Sequence, residues 1–382
     1  MNFVSSWFKF DLRDLHAAVV KIQAMKLRLS LPLLALACSV PAKAQTAENV
    51  VYVTLDGMRW QEVFSGASLE YMGDVAGGGW SADSAGLAAR FWRPTAEERR
   101  TTLMPFLWSI VATRGQLIGN PAQNSDVHVT NGLWFSYPGY SEMLSGAADP
   151  RIDSNDSIPN PNITVLEYLN GLPDFRGKVA AFGSWEILPF IVNARRSSIY
   201  TNGDGPPVRE PSTPRDSALN DLAAELPPLW GSTRLDGPTM LGVLEYVKAK
   251  KPRVLYVMLG ETDEWAHDQR YDLYLDAAWR GDRFIQRLWE MLQGMPEYAG
   301  KTALVISTDH GRGSTTGDWG NHGTDYPQAG RIWIAAMGPG IPARGDRPGV
   351  SVTQSQIAAT VARLLGRDFR ASRPEAAPAI EF

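Results

Sequence analysis

The sequence predicts an α/β fold, a three-layer sandwich in which a mostly parallel central sheet has helices on both faces. Five short, mainly apolar runs predict buried strands: Val50–Leu55, Val179–Phe182, Val254–Leu259, Ala303–Ser307 and Ile332–Ala336. Helical patterns lie between and beyond them, at Leu103–Ala112, Val165–Leu169, Met240–Lys250, Asp272–Leu292 and Gln354–Leu365. Apolar strands that alternate with helices are typical of a parallel sheet covered on both faces.

The first 44 residues have the pattern of an export signal. Met25–Arg28 is basic, Leu29–Val40 is apolar, and an A-x-A cleavage site ends at Ala44. The apolar stretch is about half as long as the ~20 residues that a transmembrane helix needs. We therefore expect residues 25–44 to be a cleaved bacterial signal peptide, preceded by an N-terminal extension at 1–24, and the mature protein to be secreted or periplasmic.

Residues 45–382 are expected to form one catalytic domain, because no clear linker divides them. The stretch Asn193–Arg215 contains four prolines and two glycines. This composition predicts a loop or cap insertion around 185–235 that covers part of the sheet.

Cleavage after Ala44 would remove Cys38, the only cysteine, and with it any thiol or disulfide chemistry. A lipoprotein anchor on Cys38 is disfavoured, because Ala35 stands where such signals usually carry leucine. The mature chain would hold 31 Lys and Arg against 39 Asp and Glu, a net charge of −8. No basic patch indicates nucleic acid as a stable partner. A small phosphorylated substrate would need local positive charge from metal ions or a few arginines. The sequence leaves the oligomeric state open.

Carboxylates and imidazoles follow three of the predicted strands. Because ligands bind where parallel strands deliver their carboxyl ends, we expect these side chains to meet at one rim of the sheet. Two of them are four residues apart, a spacing that places both on one side of a helix. The set is Asp56 after the first run, Asp263 and His267 after the third, and Asp309, His310 and His322 after the fourth.

Each of these residues also has an ordinary interpretation: Asp56 as part of an Asp-Gly turn, Asp263 as a helix N-cap, His322 as a solvated loop residue. The joint pattern argues against this, since of the four histidines after Ala44 only His128, a predicted strand residue, lies outside it. Three Asp and three His suit two metal ions. Mixed imidazole and carboxylate ligands favour Zn²⁺ over magnesium or calcium, with Mn²⁺ as the weaker alternative.

Ser136 is the candidate nucleophile. It stands before Tyr137-Pro138-Gly139, where proline predicts the start of a helix whose N-terminus would favour an anion. A serine attacks at neutral pH only when it is activated, and a bound zinc could activate it. The alternative is an ordinary polar loop residue before a proline-initiated helix.

The stretches VTLDGMR, FSYPGYSEMLSG, ETDEWAH, STDHG and NHG follow one another in the order typical of the alkaline phosphatase superfamily. Together they resemble its type I phosphodiesterase/nucleotide pyrophosphatase-like branch. The resemblance implies an alkaline phosphatase-like fold with two zinc sites. It assigns one zinc to Asp263, His267 and His322, and the other to Asp56, Asp309, His310 and the Ser136 oxygen.

The resemblance implies two further residues that hold the phosphate. Asn155, in RIDSND, would donate a hydrogen bond to a phosphoryl oxygen, and Arg196, in the pair Arg195-Arg196, would grip the phosphate. A solvated charge pair is the alternative for the arginines. The C/S-x-P-x-R motif of sulfatases is incomplete, because Tyr140 stands where that motif has arginine.

The predicted function is an exported zinc-dependent phosphoric ester hydrolase that acts through a phosphoserine intermediate. A phosphomonoesterase is preferred, since only 11 residues separate His310 from His322 and so compact a loop favours small substrates. The alternatives are a phosphodiesterase or nucleotide pyrophosphatase, and a non-catalytic periplasmic metal-binding protein. A manganese phosphomutase is disfavoured by the export signal.

Overall fold

A computed structural model of the protein describes residues 46–73 and 84–382. The predicted extension and signal peptide at 1–44 lie outside these residues. No helix in the described segments is long and apolar enough to cross a membrane.

The main sheet has eight strands in the order β5-β4-β6-β1-β7-β8-β2-β9, and β10 pairs with β3 in a small second sheet. Strand β8 runs antiparallel to both its neighbours, and the other strand pairs are parallel. The predicted, mostly parallel sheet is therefore confirmed. The strands are β1 Asn49–Leu55, β2 Gly115–Ile118, β3 Asp126–His128, β4 Val179–Gly183, β5 Tyr200–Asn202, β6 Val254–Leu259, β7 Thr302–Ser307, β8 Ile334–Met337, β9 Gly345–Asp346 and β10 Ser351–Thr353.

Helices pack on both faces of the sheet, as predicted. The alternation of side chains along β1 explains the two layers: Val51 and Val53 belong to one apolar core, and Val50 and Tyr52 belong to the other. The helices are α1 Trp60–Ser65, α2 Ser84–Phe91, α3 Ala96–Leu103, α4 Ala112–Arg114, α5 Ser136–Ser145, α6 Val165–Gly171, α7 Leu188–Ile191, α8 Ala194–Ser197, α9 Pro214–Glu225, α10 Asp236–Lys250, α11 Glu261–His267, α12 Tyr271–Gln293 and α13 Gln356–Leu364.

All five predicted strands are present, with bounds that differ by at most two residues. The predicted helix Leu103–Ala112 is wrong in its bounds: α3 ends at Leu103, and a π-helical turn follows at Leu107–Val111. Met104, between them, precedes Pro105, and a residue before proline is disfavoured in the helical conformation. His128 lies in β3, as expected of a strand residue.

Part of the segment around 185–235 belongs to the sheet itself. It contributes the edge strand β5, which pairs with β4, and the helices α7, α8 and α9. A short antiparallel bridge between Trp185 and Thr233 joins the beginning of this segment to its end. The segment therefore forms a structured wall beside the carboxyl ends of β4 and β6.

Candidate active site

The carboxyl ends of three adjacent strands carry the predicted site residues. In the register of the sheet, Leu55 pairs with Leu259 of β6 and Thr54 pairs with Ser307 of β7. Continuing this register places Asp56 level with Asp309. Helix α11 begins directly after β6, so that the rim also receives its acidic and imidazole side chains.

Asp56, Asp309 and His310 form one group. The Nε2 atom of His310 lies 3.5 Å from Asp56 Oδ1 and 3.3 Å from Asp309 Oδ2. Ser136 Oγ lies 3.4 Å from the same nitrogen. His310 Nδ1 faces the carbonyl of Gly311 at 2.9 Å, which orients the ring with Nε2 toward the carboxylates. The structure therefore brings the predicted nucleophile to the group with which it was predicted.

Asp263, His267 and His322 form the neighbouring group. Asp263 Oδ2 is 3.2 Å from His267 Nε2, and Asp263 Oδ1 is 3.7 Å from His322 Nε2. The two imidazoles face each other, with 2.9 Å between their Nε2 atoms. His310 stacks on His322 with ring centroids 4.0 Å apart, so it lies between the two groups. Its Nε2 also lies 3.7 Å from Asp263 Oδ1.

The group of Asp56, Asp309 and His310 could hold a divalent cation, and a second set that could do so consists of Asp263, His310 and His322. Asp56 Oδ1 and Asp309 Oδ2 are buried and have no hydrogen-bond partner among the described residues. A buried carboxylate oxygen without a partner is unfavourable, and a cation bound between these oxygens and the imidazole nitrogens would satisfy it. A donor set of imidazoles and carboxylates suits zinc.

Burial and mutual repulsion determine the protonation of the carboxylates. Burial raises the pKa of Asp56 well above its usual range, and the charges of Asp309 and Asp263 raise it further. Burial also raises the pKa of Asp309. For Asp263 the effect of burial is outweighed by the Arg312 guanidinium and by His267, which hold its pKa well below the usual range. Burial and the neighbouring His310 lower the pKa of His322 to about 2, so this imidazole is neutral, as a metal ligand must be.

A side chain of helix α5 fixes the loop that precedes Ser136 by hydrogen bonds to its backbone. The buried Glu142 carboxylate of α5 accepts hydrogen bonds from the backbone N–H groups of Thr130 and Asn131, at 2.9 to 3.0 Å. Helix α5 also packs against the backbone that carries the ligands, because a Cβ on Gly139 would lie 2.5 Å from the carbonyl oxygen of Asp309. Glycine at this position allows the close approach that brings Ser136 to the rim.

Asn155 lies at the site, and Arg196 does not. The Oδ1 atom of Asn155 accepts a hydrogen bond from the backbone N–H of Tyr137 at 2.9 Å, next to the nucleophile. Arg196 instead forms an ion pair with Glu167 at 2.7 Å and donates to the carbonyl oxygens of Asn160 and Asn162. We therefore no longer assign a phosphate-binding role to Arg196.

Two residues at the site were missed by the sequence analysis. The Tyr140 hydroxyl donates to Asp56 Oδ2 at 2.8 Å, and its position four residues after Ser136 could have indicated that both face the rim. The buried Arg312 guanidinium forms an ion pair with the Asp263 carboxylate and donates to the carbonyl oxygens of Gly57 and Gly320. No local pattern distinguishes Arg312 from a loop arginine.

A cavity of about 460 Å³ opens over the site. Among the described residues, no lysine or arginine lines it. Its lining consists of the site residues Asp56, Ser136, Asn155, Asp263 and His267, together with Asp156, Ser157, Trp185, Glu186, Ile187, Ser232, Thr233, Gly260 and Glu264.

Several solved structures share this fold. Ps i-CgsB is 16% identical with a TM-score of 0.52, and the match covers 88% of this chain and 75% of that one. The lipoteichoic acid synthase LtaP from Listeria monocytogenes is 11% identical with a TM-score of 0.52, covering 85% and 73%. The alkaline phosphatase PafA is 12% identical with a TM-score of 0.50, covering 85% and 96%. At these identities the similarity shows the fold alone. A comparison with curated protein sequences gave no match.

The sequence profile of the type I phosphodiesterase/nucleotide pyrophosphatase family matches residues 79–375, more than half of the chain. This range contains the candidate nucleophile and the ligand candidates that follow β6 and β7. The matched profile and the fold agree with the resemblance found in the motifs. The chain belongs to the type I phosphodiesterase/nucleotide pyrophosphatase family, and so to the phosphoric ester hydrolases of the alkaline phosphatase superfamily.

Proposed function

We propose that this protein hydrolyses phosphoric esters through a phosphoserine on Ser136, beside two zinc ions. The observation that carries the proposal is the position of Ser136 Oγ, 3.4 Å from His310 Nε2, at the start of a helix and in the cavity that Asp56, Asp263 and His267 also line. Asp56, Asp309 and His310 would hold one ion, and Asp263, His267 and His322 the other.

The residues of the chain have distinct roles in this proposal. Ser136 Oγ attacks phosphorus in line with the leaving alcohol, so that one P–O bond forms as the other breaks. Water then cleaves the bond between phosphorus and Oγ and restores the serine. The ions, when bound, would stabilise the negative charge that develops on the attacking and leaving oxygens.

Asn155 is the proposed donor to the phosphoryl group. Its Oδ1 atom already accepts from the Tyr137 N–H, so the Nδ2 amide hydrogens are the part of the side chain that can bind a phosphoryl oxygen. The N-terminus of α5 adds a partial positive charge on the same side of the phosphate.

The cavity favours a diester over the monoester that the sequence suggested. A monoester carries about two negative charges at neutral pH and a diester carries one. Arg196, the predicted grip for the monoester, forms an ion pair with Glu167 outside the cavity, and among the described residues no lysine or arginine lines the cavity. We therefore propose a phosphodiesterase as the principal activity and a phosphomonoesterase as the second candidate.

The test compares wild type with Ser136→Ala. We expect wild type to hydrolyse bis-4-nitrophenyl phosphate faster than 4-nitrophenyl phosphate, and the variant to lose at least a thousandfold in kcat while keeping about two zinc ions per chain. Full activity in the variant would exclude Ser136 as the nucleophile. Zinc binding by wild type without hydrolysis of any ester would instead support a metal-binding protein.

The expected export also belongs to this proposal. The signal peptide lies outside the described residues, so we propose a secreted or periplasmic site of action from the sequence alone. N-terminal sequencing of the protein from the extracytoplasmic fraction would test it, and a mature start far from Gln45 would contradict it.

A further inference from the structure

Helix α11 carries two of the proposed zinc ligands, Asp263 and His267, although it has only seven residues. It begins after Gly260, a residue that has no side chain with which to cap the helix. The first N–H groups of a helix have no partner within the helix itself, and an isolated helix shorter than about 12 residues is marginal in water. The position of both ligands therefore depends on contacts that other elements make with the start of α11.

Asp236, the first residue of α10, supplies the missing cap. Its Oδ1 atom accepts a hydrogen bond from the Gly260 N–H at 2.8 Å, and its Oδ2 atom accepts from the Glu261 N–H at 3.1 Å. Ser184, which directly follows β4, donates its hydroxyl to the same Oδ1 atom at 2.5 Å. The side chains of Asp236 and Ser184 are both buried. Both carboxylate oxygens of Asp236 thus hold the backbone that leads from β6 into α11.

Glu261 caps α10 in return. Its Oε1 atom accepts from the Asp236 N–H at 2.7 Å, whereas Leu235, at the N-cap position of α10, forms no capping hydrogen bond through its own side chain. The other carboxylate oxygen of Glu261 accepts from the Trp265 indole at 3.2 Å and forms an ion pair with Arg280 of α12 at 2.5 Å. Each of the two helices is therefore capped by the first residue of the other, and α12 fixes the pair.

The same turn is connected to the other ligand group. The Thr262 hydroxyl donates to the backbone carbonyl of Asp56 at 2.5 Å. Asp263 follows directly, and its Oδ2 atom lies 3.2 Å from His267 Nε2. A metal site requires its ligand atoms to lie within about 0.2 Å of the ideal distances. A small displacement of this turn would therefore move two ligands of one group relative to the other group.

We infer that Asp236 and Glu261 are positioning residues for the zinc site that contains Asp263 and His267. Neither of the two is a ligand, because backbone N–H groups of the opposite helix occupy their carboxylates. Loss of a side chain that holds a metal ligand in place typically lowers metal affinity about 10- to 100-fold. The inference rests on the zinc sites of the proposed function and is independent of the ester that the protein hydrolyses.

The test is the zinc affinity of Asp236→Asn, measured by competition with a chromogenic chelator at neutral pH. The variant replaces one of the two accepting oxygens with an amide nitrogen, which cannot accept a hydrogen bond from an N–H group. His322→Ala, which removes a ligand of this group, identifies the affinity that belongs to it. We expect Asp236→Asn to lower that affinity 10- to 100-fold and to change the other affinity less.

Asp282→Asn is the matched control. Asp282 is also buried and also accepts from two backbone N–H groups, those of Phe106 and Leu107, each at 2.8 Å. These hydrogen bonds hold a segment that carries no proposed ligand. We expect both zinc affinities of this variant to stay within twofold of wild type. Urea unfolding of the metal-free proteins measures the loss of stability in each variant, so that a purely structural effect is recognised.

The outcomes separate this inference from the proposed hydrolase. A fall of less than threefold in Asp236→Asn, or an equal fall in Asp282→Asn, would overturn the inference and leave the hydrolase intact. If Asp236→Asn does not fold, Ser184→Ala decides: loss of the hydroxyl that donates to Asp236 should lower the same affinity more than twofold, and a smaller change would overturn the inference. Zinc binding by wild type without turnover of any ester would refute only the hydrolase, and a wild type that binds no zinc would refute both.

Discussion

Tyr140→Phe should weaken zinc binding at the group formed by Asp56, Asp309 and His310. The Tyr140 hydroxyl donates to Asp56 Oδ2 at 2.8 Å, and both side chains are buried. Within the described residues, this hydrogen bond is the one that the Asp56 carboxylate accepts, and its Oδ1 atom has no partner. Phenylalanine keeps the ring and removes only the hydroxyl that orients the ligand.

The expected size follows from the burial of the pair. A hydrogen bond to a charged group contributes about 1.5 to 3 kcal/mol, and about 1.4 kcal/mol corresponds to a tenfold change in an equilibrium constant. Losing such a bond behind a metal ligand typically lowers metal affinity about 10- to 100-fold. Burial and the charge of Asp309 already raise the pKa of Asp56, and without the hydroxyl the carboxyl would compete more strongly for a proton.

The assay is competition for zinc with a chromogenic chelator at neutral pH, followed by activity at increasing zinc. We expect the weaker of the two measured affinities to fall 10- to 100-fold and the lost activity to return when zinc is raised. Tyr298→Phe is the matched control, because this buried hydroxyl donates to the Pro252 carbonyl at 2.8 Å, at the amino-terminal end of β6. A zinc affinity of Tyr140→Phe within twofold of wild type would refute the reasoning.

Two further predictions concern the second ligand group and the stability of the fold. His322→Ala should lower the zinc content from about two to about one per chain, because it removes a ligand from the group that contains Asp263 and His267; metal analysis that still finds two would contradict the assignment. Asp282→Asn should make the stability less dependent on pH: this buried carboxyl accepts from the N–H groups of Phe106 and Leu107, and burial raises its pKa from 3.8 to about 7. Because folding raises this pKa, the contribution of the Asp282 carboxyl to the free energy of unfolding is fully present below about pH 4 and is lost as pH rises through about 7. At 1.36 kcal/mol per pKa unit, the loss amounts to about 4 kcal/mol. Urea unfolding of both proteins from pH 4.5 to 8 measures it, and a difference in unfolding free energy that is constant with pH would contradict the prediction.

The strands and the chemistry of the ligand groups were accessible from the sequence. Apolar runs such as Val50–Leu55 have a pattern that is typical of a buried strand, and parallel strands deliver their carboxyl ends to one rim. Asp56, Asp309 and His310 directly follow such runs, so their proximity follows from the topology. The sequence did not reveal the edge strand β5, because a strand of three residues is too short to show an apolar run.

Tertiary structure alone decided the partners of the arginines. Arg196 binds Glu167, 29 positions away, and Arg312 binds Asp263, 49 positions away. A guanidinium reaches whichever acceptor the fold places beside it, and contacts over such separations leave no local periodicity to detect. The sequence therefore determined which residue types end the strands, while the fold determined that Arg312 lies at the site, that Arg196 lies outside it, and that Trp185 and Glu186 form the cavity wall.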